Sequence, residues 1–478
     1  MRDLRPLLSP RSVAVVGAST NPAKAGGILF KNLVDGGFSG PLYPVNPRAD
    51  TVLGYTAYAR VGDLPAAPDL AFVVLPRAAV CPVVEECAAA GVRAVCIITS
   101  GFGEADAEGR REQARLVDII RRSGMLAIGP NTIGLVVPHR RLYGSFVPFP
   151  SWTPGPIAIF AQTGIFAGAV MLQEMSRPTQ RPGVRMSVDA GNKIDVDEID
   201  FLHAAAGDPE VGVVGFYLEE IRDVRAFLQT AGRVGETKPV VLLKPGRTVP
   251  GASASASHTG ALAVDDRVLD GALRQHGVLR AEGVEDFLLT LRVLAWSSPP
   301  AGPRVAVVSY SGALGVMAVD EIVSAGLELA EFAPATRERL ATLLPAWQVP
   351  ANPADLWVAL EVHGNRRGHE AALEAVLADP HTDMVLAILL APPNADFPDV
   401  REVFAGLRER HPHKAFVLVI YGGEVRERWL HALEGLGVPV APNPRVAVRS
   451  LAALARWAAV RRRTKADIPT PGRTAWEP

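Results

Sequence analysis

The stretch Val-Ala-Val-Val-Gly-Ala-Ser-Thr-Asn-Pro occupies residues 13–22. Its first four residues are apolar, which is typical of a buried strand, and the glycine that follows begins a turn. In doubly wound folds, the turn between the first strand and its helix is where a ligand phosphate is received. The stretch therefore predicts a parallel α/β domain with a ligand site at its first turn.

The alternation of short apolar runs with helical lengths continues to about residue 134 and completes this sheet. The predicted strands are Val13–Val16, Leu42–Val45, Leu70–Leu75, Ala94–Thr99 and Leu126–Ile128. The first turn lacks the dinucleotide fingerprint, because Ser19 stands where a second glycine would allow close approach of a pyrophosphate. The second strand ends in Val45-Asn46-Pro47, without an acid to bind ribose. NAD is therefore disfavoured, and a nicotinamide oxidoreductase with it.

The alternation starts again twice, after a link at Val147–Pro156 and after the Ser- and Pro-rich stretch at residues 297–303. The predicted strands are Ile157–Ala161, Val184–Ser187, Val211–Tyr217, Pro239–Leu243, Val305–Val308, Met384–Leu389 and Phe416–Ile420. We predict an α/β fold of three doubly wound parallel-sheet domains, at residues 1–146, 147–298 and 299–464. Residues 465–478 are expected to form a frayed tail.

Composition excludes several classes of protein. Lys and Arg number 49 against 50 Asp and Glu, and because the basic residues are scattered they form no footprint for nucleic acid or an anionic membrane. Cys81, Cys87 and Cys96 lie in apolar runs without a metal-binding pattern, so we expect small core residues, with no disulfide and no metal site. No signal peptide or bilayer-spanning run is evident, which predicts a cytoplasmic protein.

A second chemical feature is the stretch Lys244–Ala263, which follows a predicted strand. Gly251–Ser257 carries only small side chains, so we expect a flexible loop that delivers the imidazole of His258. A histidine on a loop is often only solvated. Here its neighbours offer hydroxyls and a bare backbone N–H, which hold phosphate oxygens. Because histidine forms covalent intermediates, His258 is a candidate phosphoryl acceptor.

Two other turns combine hydroxyl groups and glycine with the start of a predicted helix. Ala161-Gln162-Thr163-Gly164 precedes a helical stretch to about Met175, and Ser309–Gly315 precedes one to about Ala325. Free N–H groups and the positive end of the helix dipole converge at such turns. The candidate phosphate-binding residues are therefore Gln162, Thr163, Gly164, Ser257, Thr259, Gly260, Ser311 and Gly312.

Lys244-Pro245-Gly246 followed by residues 257–263 resembles the phosphohistidine loop of ADP-forming acyl-CoA synthetases, in the succinyl-CoA synthetase superfamily. The resemblance implies that His258 is phosphorylated and that Glu219 pairs with it, with Glu220 as the alternative. It also implies a Rossmann-like CoA-binding domain followed by two flavodoxin-like domains. The chain departs from the family pattern at Ala161, where a serine is usual, and at the turn 310–313.

The first domain resembles the CoA-binding domain of that family along nearly its whole length. The matching residues imply contacts with the phosphates, adenine and pantetheine arm of CoA: Gly17, Ser19, Lys24, Val45, Asn46, Pro76, Ser100 and Asn131. Gly191-Asn192-Lys193 also matches a family stretch, although a turn with Asp195 as the helix N-cap explains it equally well.

The resemblance implies the reaction acyl-CoA + phosphate + ADP ⇌ carboxylic acid + CoA + ATP. ADP or ATP with Mg²⁺ would bind a separate ATP-grasp beta-type subunit, because the three α/β units leave no residues for such a domain, and the assembly would be an oligomer. The alternative is a CoA-binding regulatory protein of the same fold that does not complete the reaction.

Overall fold

The computed structural model describes residues 2–147, 153–164, 183–259, 265–391 and 400–466. The chain divides into two compact units. One consists of Met1–Pro178, Pro182–Ala231 and Leu242–Leu273, and the other of Thr179–Arg181, Gly232–Val241 and Arg274–Pro478. The division into three domains stays a prediction.

The first sheet of the first unit is parallel throughout, in the order β2-β1-β5-β6-β7. The strands of this region are β1 (Val13–Val16), β2 (Leu42–Val45), the short hairpin β3 (Thr51–Val52) and β4 (Tyr55–Thr56), β5 (Leu70–Val73), β6 (Ala94–Ile97) and β7 (Leu126–Ile128). The first, second and fifth of the strands predicted here are confirmed to the residue. The other two end two residues earlier than predicted.

The helices of this region are α1 (Arg5–Leu8), α2 (Ala25–Asp35), α3 (Arg77–Ala89) and α4 (Ala107–Ser123). Helix α4 shows how sequence sets their ends. The Asp106 carboxylate accepts the Gly109 N–H at 2.6 Å as an N-cap, and Gly124 ends the helix in the left-handed region at φ +69°. Short 3-10 turns lie at Val61–Asp63 and Pro138–Arg140.

The part of the second sheet that belongs to this unit has the order β13-β12-β10-β11-β8-β9. Its strands are β8 (Gly134–Val137), β9 (Leu142–Ser145), β10 (Pro154–Ala161), β11 (Val184–Asp189), β12 (Val213–Tyr217) and β13 (Val240–Leu243). The β8–β9 hairpin pairs antiparallel with β11, so residues before 147 extend the following sheet. The helices are α5 (Glu198–Gly207), α6 (Val224–Gly235), α7 (Val249–Thr259) and α8 (Asp266–Gln275).

The sheet of the second unit is also parallel, in the order β16-β15-β18-β19-β20, with β17 paired to β15. Its strands, preceded by β14 (Leu279–Ala281), are β15 (Arg304–Ser309), β16 (Glu328–Leu329), β17 (Ala354–Asp355), β18 (Met384–Ala391), β19 (Ala415–Gly422) and β20 (Val440–Ala441). The helices are α9 (Val284–Trp296), α10 (Gly312–Ser324), α11 (Pro334–Ala341), α12 (Trp357–His363), α13 (Asn365–Leu377), α14 (Val400–Arg410), α15 (Glu424–Glu434) and α16 (Pro444–Ala466). The predicted α/β class with parallel sheets is confirmed.

Residues 297–303 are tied into this second unit. The Ser298 hydroxyl donates to the Pro412 carbonyl at 3.0 Å, and Arg462 donates to the Pro300 carbonyl at 2.9 Å. Just before the segment, Arg292 on α9 forms a buried ion pair with Glu434 at 2.9 Å. The segment therefore has partners both for its own groups and for the helix that precedes it.

All three cysteines are buried in the first unit and carry free thiols. Burial is the largest cause that raises the pKa values of Cys81 and Cys87 to about 12, as expected for core residues. Among the described residues, no helix is long and apolar enough to cross a bilayer. Within the same ranges, no group of three His, Cys, Asp or Glu residues could hold a metal ion.

The first ligand turn depends on close backbone packing between α2 and β1. A Cβ atom on Gly26 would lie 2.0 Å from the Gly17 carbonyl oxygen, and one on Gly17 would lie 2.1 Å from the Val74 oxygen. Gly17 also has φ +94°, a left-handed conformation that favours glycine. Glycine is thus required at both positions.

We predict that Gly26→Ala lowers the free energy of unfolding by about 1–3 kcal/mol, because the added methyl meets backbone that cannot move aside. Gly271→Ala is the matched control: it lies inside α8, and its added methyl would have no other group within 4 Å. It should stabilise by about 0.5–1 kcal/mol through helix propensity. Urea unfolding measures both, and equal stabilisation by the two changes would contradict the packing argument.

Candidate functional site

The turns that follow β1 and β2 form one side of a crevice at the carboxyl edge of the first sheet. Ser19 Oγ accepts the Asn21 N–H at 3.1 Å. Asn46 Nδ2 donates to the Ala18 carbonyl at 2.7 Å, while its Oδ1 accepts the Arg48 N–H at 2.8 Å. Asn46 therefore holds the two turns together. Lys24 is exposed at the start of α2.

The turns after β5, β6 and β7 form the other side. Thr99 Oγ1 donates to the Leu75 carbonyl at 2.6 Å and so joins two of these turns. Sequence reasoning gave Thr99 no role, although a hydroxyl at a strand end is a signal for such a bridge. Pro76, Ser100 and Asn131 lie at the rim. The structure thus brings all eight predicted CoA residues to one edge of one sheet.

The turn after β12 carries the two predicted acids. Glu219 is buried, with 9% of its surface exposed, and Glu220 is half-buried. Burial first, and then the Glu219 charge, raise the pKa of Tyr217 to about 12, and the Tyr217 hydroxyl hydrogen-bonds the Glu219 side chain. The hydroxyl therefore remains protonated as a partner of the carboxylate.

Gln162, predicted to bind phosphate, lies at the end of the neighbouring strand β10. Its Oε1 accepts the backbone N–H groups of Glu219 at 3.1 Å and of Glu220 at 3.0 Å. Thr163 is half-buried beside it, and a Cβ on Gly164 would lie 2.6 Å from Ile133 Cγ2. The helix predicted to follow, to about Met175, lies outside the described residues.

Two lysines that sequence reasoning left without a role contact the same turn. Lys193 Nζ is buried, donates to the Glu220 carbonyl at 2.9 Å and forms an ion pair with Glu198 at 2.8 Å. Lys244 Nζ donates to the Glu219 carbonyl at 3.1 Å. The sequence feature that could have pointed to these lysines is their place in the Gly-Asn-Lys and Lys-Pro-Gly stretches. Their partners are distant in sequence, so the contacts themselves could not be predicted.

The alternative in which Asp195 is the N-cap of the following helix is wrong. The Asp197 side chain caps α5 by accepting the N–H groups of Ile199 and Asp200, at 2.9 and 3.0 Å. Asp195 instead accepts the Ala127 N–H at 2.9 Å and pairs with Arg2. Its partners are therefore outside the helix that it was expected to cap.

Asn192, next to Lys193, connects the two sheets of this unit. Its Nδ2 donates to Glu104 at 2.5 Å and to Gln113 at 2.8 Å, and its Oδ1 accepts from Asn131 at 3.3 Å. Glu104 also accepts the Gly101 N–H at 2.6 Å. The rim of the predicted CoA crevice is thus continuous with the stretch that holds the Glu219 turn.

His258 lies in the last turn of helix α7, and its side chain and those of Ser257 and Thr259 are outside the described residues, as is Gly260 entirely. The flexible loop predicted for Gly251–Ser257 is wrong, because this segment is helical. Thr248 Oγ1 accepts the Gly251 N–H at 3.2 Å as an N-cap, and alanines favour the helix that follows.

In the second unit, Ser311 is the N-cap residue of α10, which Gly312 begins. Asp355 faces this turn, since a Cβ on Gly312 would lie 2.7 Å from its Oδ2. A cavity of about 340 Å³ opens here, lined by Ser311, Gly312, Trp347, Gln348, Asp355, Trp357 and Val358. A carboxylate at the helix N-terminus already satisfies part of the positive dipole.

Comparisons with known proteins agree with this geometry. The family model "CoA binding domain" matches residues 11–138, and "Succinyl-CoA ligase like flavodoxin domain" matches 154–294. Subunit alpha of acetate–CoA ligase [ADP-forming] I from Pyrococcus furiosus is 33% identical over 95% of this chain and 98% of its own length. The chain belongs to the ADP-forming acetate–CoA ligase family. The resemblance found in the sequence is confirmed.

Other members of the family align in the same way. Subunit alpha of the Pyrococcus furiosus ligase II is 34% identical over 91% of this chain and 94% of its own. A solved structure of dinucleotide-forming acetyl-coenzyme A synthetase 1 from Ca. Korarchaeum cryptofilum, in complex with phosphate and ADP, is 29% identical. It has a TM-score of 0.89 and covers 98% of this chain and 100% of that one.

Asp189, at the end of β11, carries a buried carboxyl group that accepts two backbone hydrogen bonds. Its Oδ2 accepts the Ile133 N–H at 2.8 Å and its Oδ1 accepts the Gly191 N–H at 3.2 Å. Burial nevertheless raises its pKa from 3.8 to about 6. The folded protein therefore binds this proton more tightly than the unfolded chain.

We predict that this group lowers stability as pH rises from about 4 to 6. The full difference between the two pKa values corresponds to about 3 kcal/mol, of which about 2 kcal/mol falls between pH 4.5 and 7.5. Urea unfolding of the wild type and Asp189→Asn across this range isolates the group, because other titrations cancel. A difference between the two proteins that does not change with pH would contradict the assignment.

Proposed function

We propose that this chain is the alpha-type subunit of an ADP-forming acyl-CoA synthetase that works through a phosphohistidine at His258. The observation that carries the proposal is the buried Glu219 carboxylate at the end of β12, in a chain that aligns with alpha subunits along nearly its whole length. The substrates are an acyl-CoA or a short-chain carboxylic acid.

The reaction proceeds in three transfers. A phosphate oxygen attacks the thioester carbonyl carbon, the C–S bond breaks, and CoA leaves as a thiolate that takes up a proton. A ring nitrogen of His258 then attacks the phosphorus of the acyl phosphate, and the P–O bond breaks to release the carboxylate. Finally an oxygen of the ADP β-phosphate attacks the phosphohistidine, the P–N bond breaks, and ATP leaves with His258 restored.

Glu219 would act on His258 by accepting the N–H of the ring nitrogen that does not react. That hydrogen bond fixes the tautomer and stabilises the positive charge of the phosphorylated ring. Burial strengthens the interaction because the local dielectric is low. Glu220, half-buried one residue away, remains the alternative partner.

The first domain would bind CoA in the crevice at the carboxyl edge of its sheet, where such folds bind ligands. Phosphate would bind beside His258 through Ser257, Thr259 and Gly260, and at the turn of Thr163 and Gly164. In the second unit, Ser311 and Gly312 at the start of α10 would offer a phosphate contact of their own. These assignments, and domains at 1–146, 147–298 and 299–464, are parts of the proposal.

ADP and ATP with Mg²⁺ would bind a separate ATP-grasp beta-type subunit. Support comes from relative lengths: the chain covers 98% and 94% of two alpha subunits. It covers only 67% and 65% of two Archaeoglobus fulgidus relatives named simply as the ligase. The region shared with this chain is thus the alpha part of those longer proteins.

We predict that the chain binds CoA and not NAD in calorimetric titration. Lys24→Ala should weaken the binding of CoA more than the binding of CoA that lacks the 3′-phosphate. The reason is that the change removes a charge-assisted hydrogen bond to that phosphate. Lys31→Ala is the control, since Lys31 lies on the same helix paired with Asp35. Equal losses for the two ligands would place Lys24 elsewhere, and NAD binding without CoA binding would overturn the site.

We predict that acyl-CoA plus labelled phosphate phosphorylates His258, giving an acid-labile, base-stable label that His258→Asn removes. Glu219→Gln should slow labelling by about 100-fold, whereas Glu220→Gln should have little effect. Adding ADP and a candidate ATP-grasp subunit should then yield ATP, which the chain alone should not form.

Three results would decide against parts of this proposal. Label that survives His258→Asn would show that another residue accepts the phosphoryl group. A larger effect of Glu220→Gln than of Glu219→Gln would make Glu220 the partner of His258. CoA binding without labelling or ATP formation in either sample would favour the CoA-binding regulator.

A further inference from the structure

The turn that carries Glu219 is held almost entirely by side chains from neighbouring strand ends. Glu219 and Glu220 have four backbone polar groups, two N–H and two C=O. Gln162 Oε1 accepts both N–H groups, at 3.1 and 3.0 Å. Lys244 donates to the Glu219 carbonyl at 3.1 Å and Lys193 to the Glu220 carbonyl at 2.9 Å. Every backbone polar group of the two residues is therefore bound by a side chain.

The three side chains come from three different segments. Gln162 follows β10, Lys193 follows β11 and Lys244 follows β13. Strands β10 and β13 flank β12 in the sheet, and β11 lies beyond β10. The side chains that follow these strands all reach the Glu219 turn. A turn without backbone partners in its own sheet is otherwise free to move, and these contacts remove that freedom.

Of the three side chains, Lys193 has the largest desolvation cost, because its ammonium group is withdrawn from water. It is 1% exposed, and its ion-pair partner Glu198 is fully buried. Glu198 Oε1 in turn accepts the N–H of Arg222 at 3.2 Å, two residues beyond the turn. Removing such a pair from water is unfavourable, and its hydrogen bonds to this one segment offset that cost.

We infer that Gln162, Lys193 and Lys244 are positioning residues that fix the Glu219 carboxylate for His258. The inference rests on the proposed function of Glu219 and changes the role of Gln162 from phosphate ligand to backbone acceptor. Lys244 adds a direct link, because it begins the Lys-Pro-Gly stretch that leads into the helix of His258. The backbone that carries the carboxylate is thus bound by the same residue that opens the phosphohistidine segment.

Gln162→Met tests the inference, because methionine fills a similar volume without an acceptor oxygen. We expect His258 labelling to slow about tenfold at saturating phosphate, with the half-saturating phosphate concentration unchanged. Hydrogen exchange of the Glu219 and Glu220 amides should become at least about tenfold faster. Gln162→Glu, which keeps an acceptor oxygen, should keep both amides protected, and Gln229→Met, an exposed glutamine on α6, should change neither measurement.

A higher half-saturating phosphate concentration in Gln162→Met, with both amides protected as in the wild type, would overturn the inference and return Gln162 to the phosphate site. Wild-type labelling is measured in the same experiment, so a failure of the proposed function is recognised separately. A wild-type chain that takes no label would remove both the function and the positioning role. If the wild type is labelled normally and Gln162→Met changes neither labelling nor amide exchange, only the positioning role is refuted.

Discussion

The buried ion pair between Lys193 and Glu198 is the interaction on which the centre of the first unit depends. Its charges are 2.8 Å apart and both side chains are withdrawn from solvent. Replacing such a pair with apolar groups is often neutral for stability, whereas removing one partner costs about 3–5 kcal/mol. Here an apolar pair would not serve, because Lys193 also binds the Glu220 carbonyl and Glu198 also binds the Arg222 N–H. The pair links the ends of β11 and β12 to the start of α5.

The parallel strands of each sheet share one pattern: the first strand lies between the second and a later strand. In the first sheet β1 lies between β2 and β5, in the second β10 lies between β11 and β12, and in the third β15 lies between β16 and β18. This arrangement opens a crevice beside the first strand, where the order of the strands reverses. The turns at Gly17, Gln162 and Ser311 each follow such a first strand. One topological rule thus accounts for the place of three candidate sites.

Much of this could be read from the sequence. Apolar runs predicted twelve of the described strands to within about three residues, because a buried parallel strand needs a continuous apolar stretch. The strands that they missed are β3, β4, β8, β9, β14, β16, β17 and β20. The helix at 249–259 was missed because its small residues were taken for a loop, although Thr248 and Pro250 mark a helix start. The roles of Gln162, Lys193 and Lys244 could not be found, since a polar residue at a strand end looks the same whether it meets phosphate or a distant backbone group. The pairing of the β8–β9 hairpin with β11 was likewise a non-local choice.

The adjacent residues Asn192 and Lys193 serve different neighbours. Asn192 binds Glu104 and Gln113 below the first crevice, and Lys193 binds the Glu219 turn. Together with the β8–β9 hairpin, they connect the first two sheets, so residues of both sheets depend on each other's contacts. A recombination junction anywhere between residues 134 and 195 would separate partners that must be inherited together. Specificity in this lineage is therefore expected to diversify by substitution within the turns, since exchange of a whole CoA-binding domain would break these shared contacts.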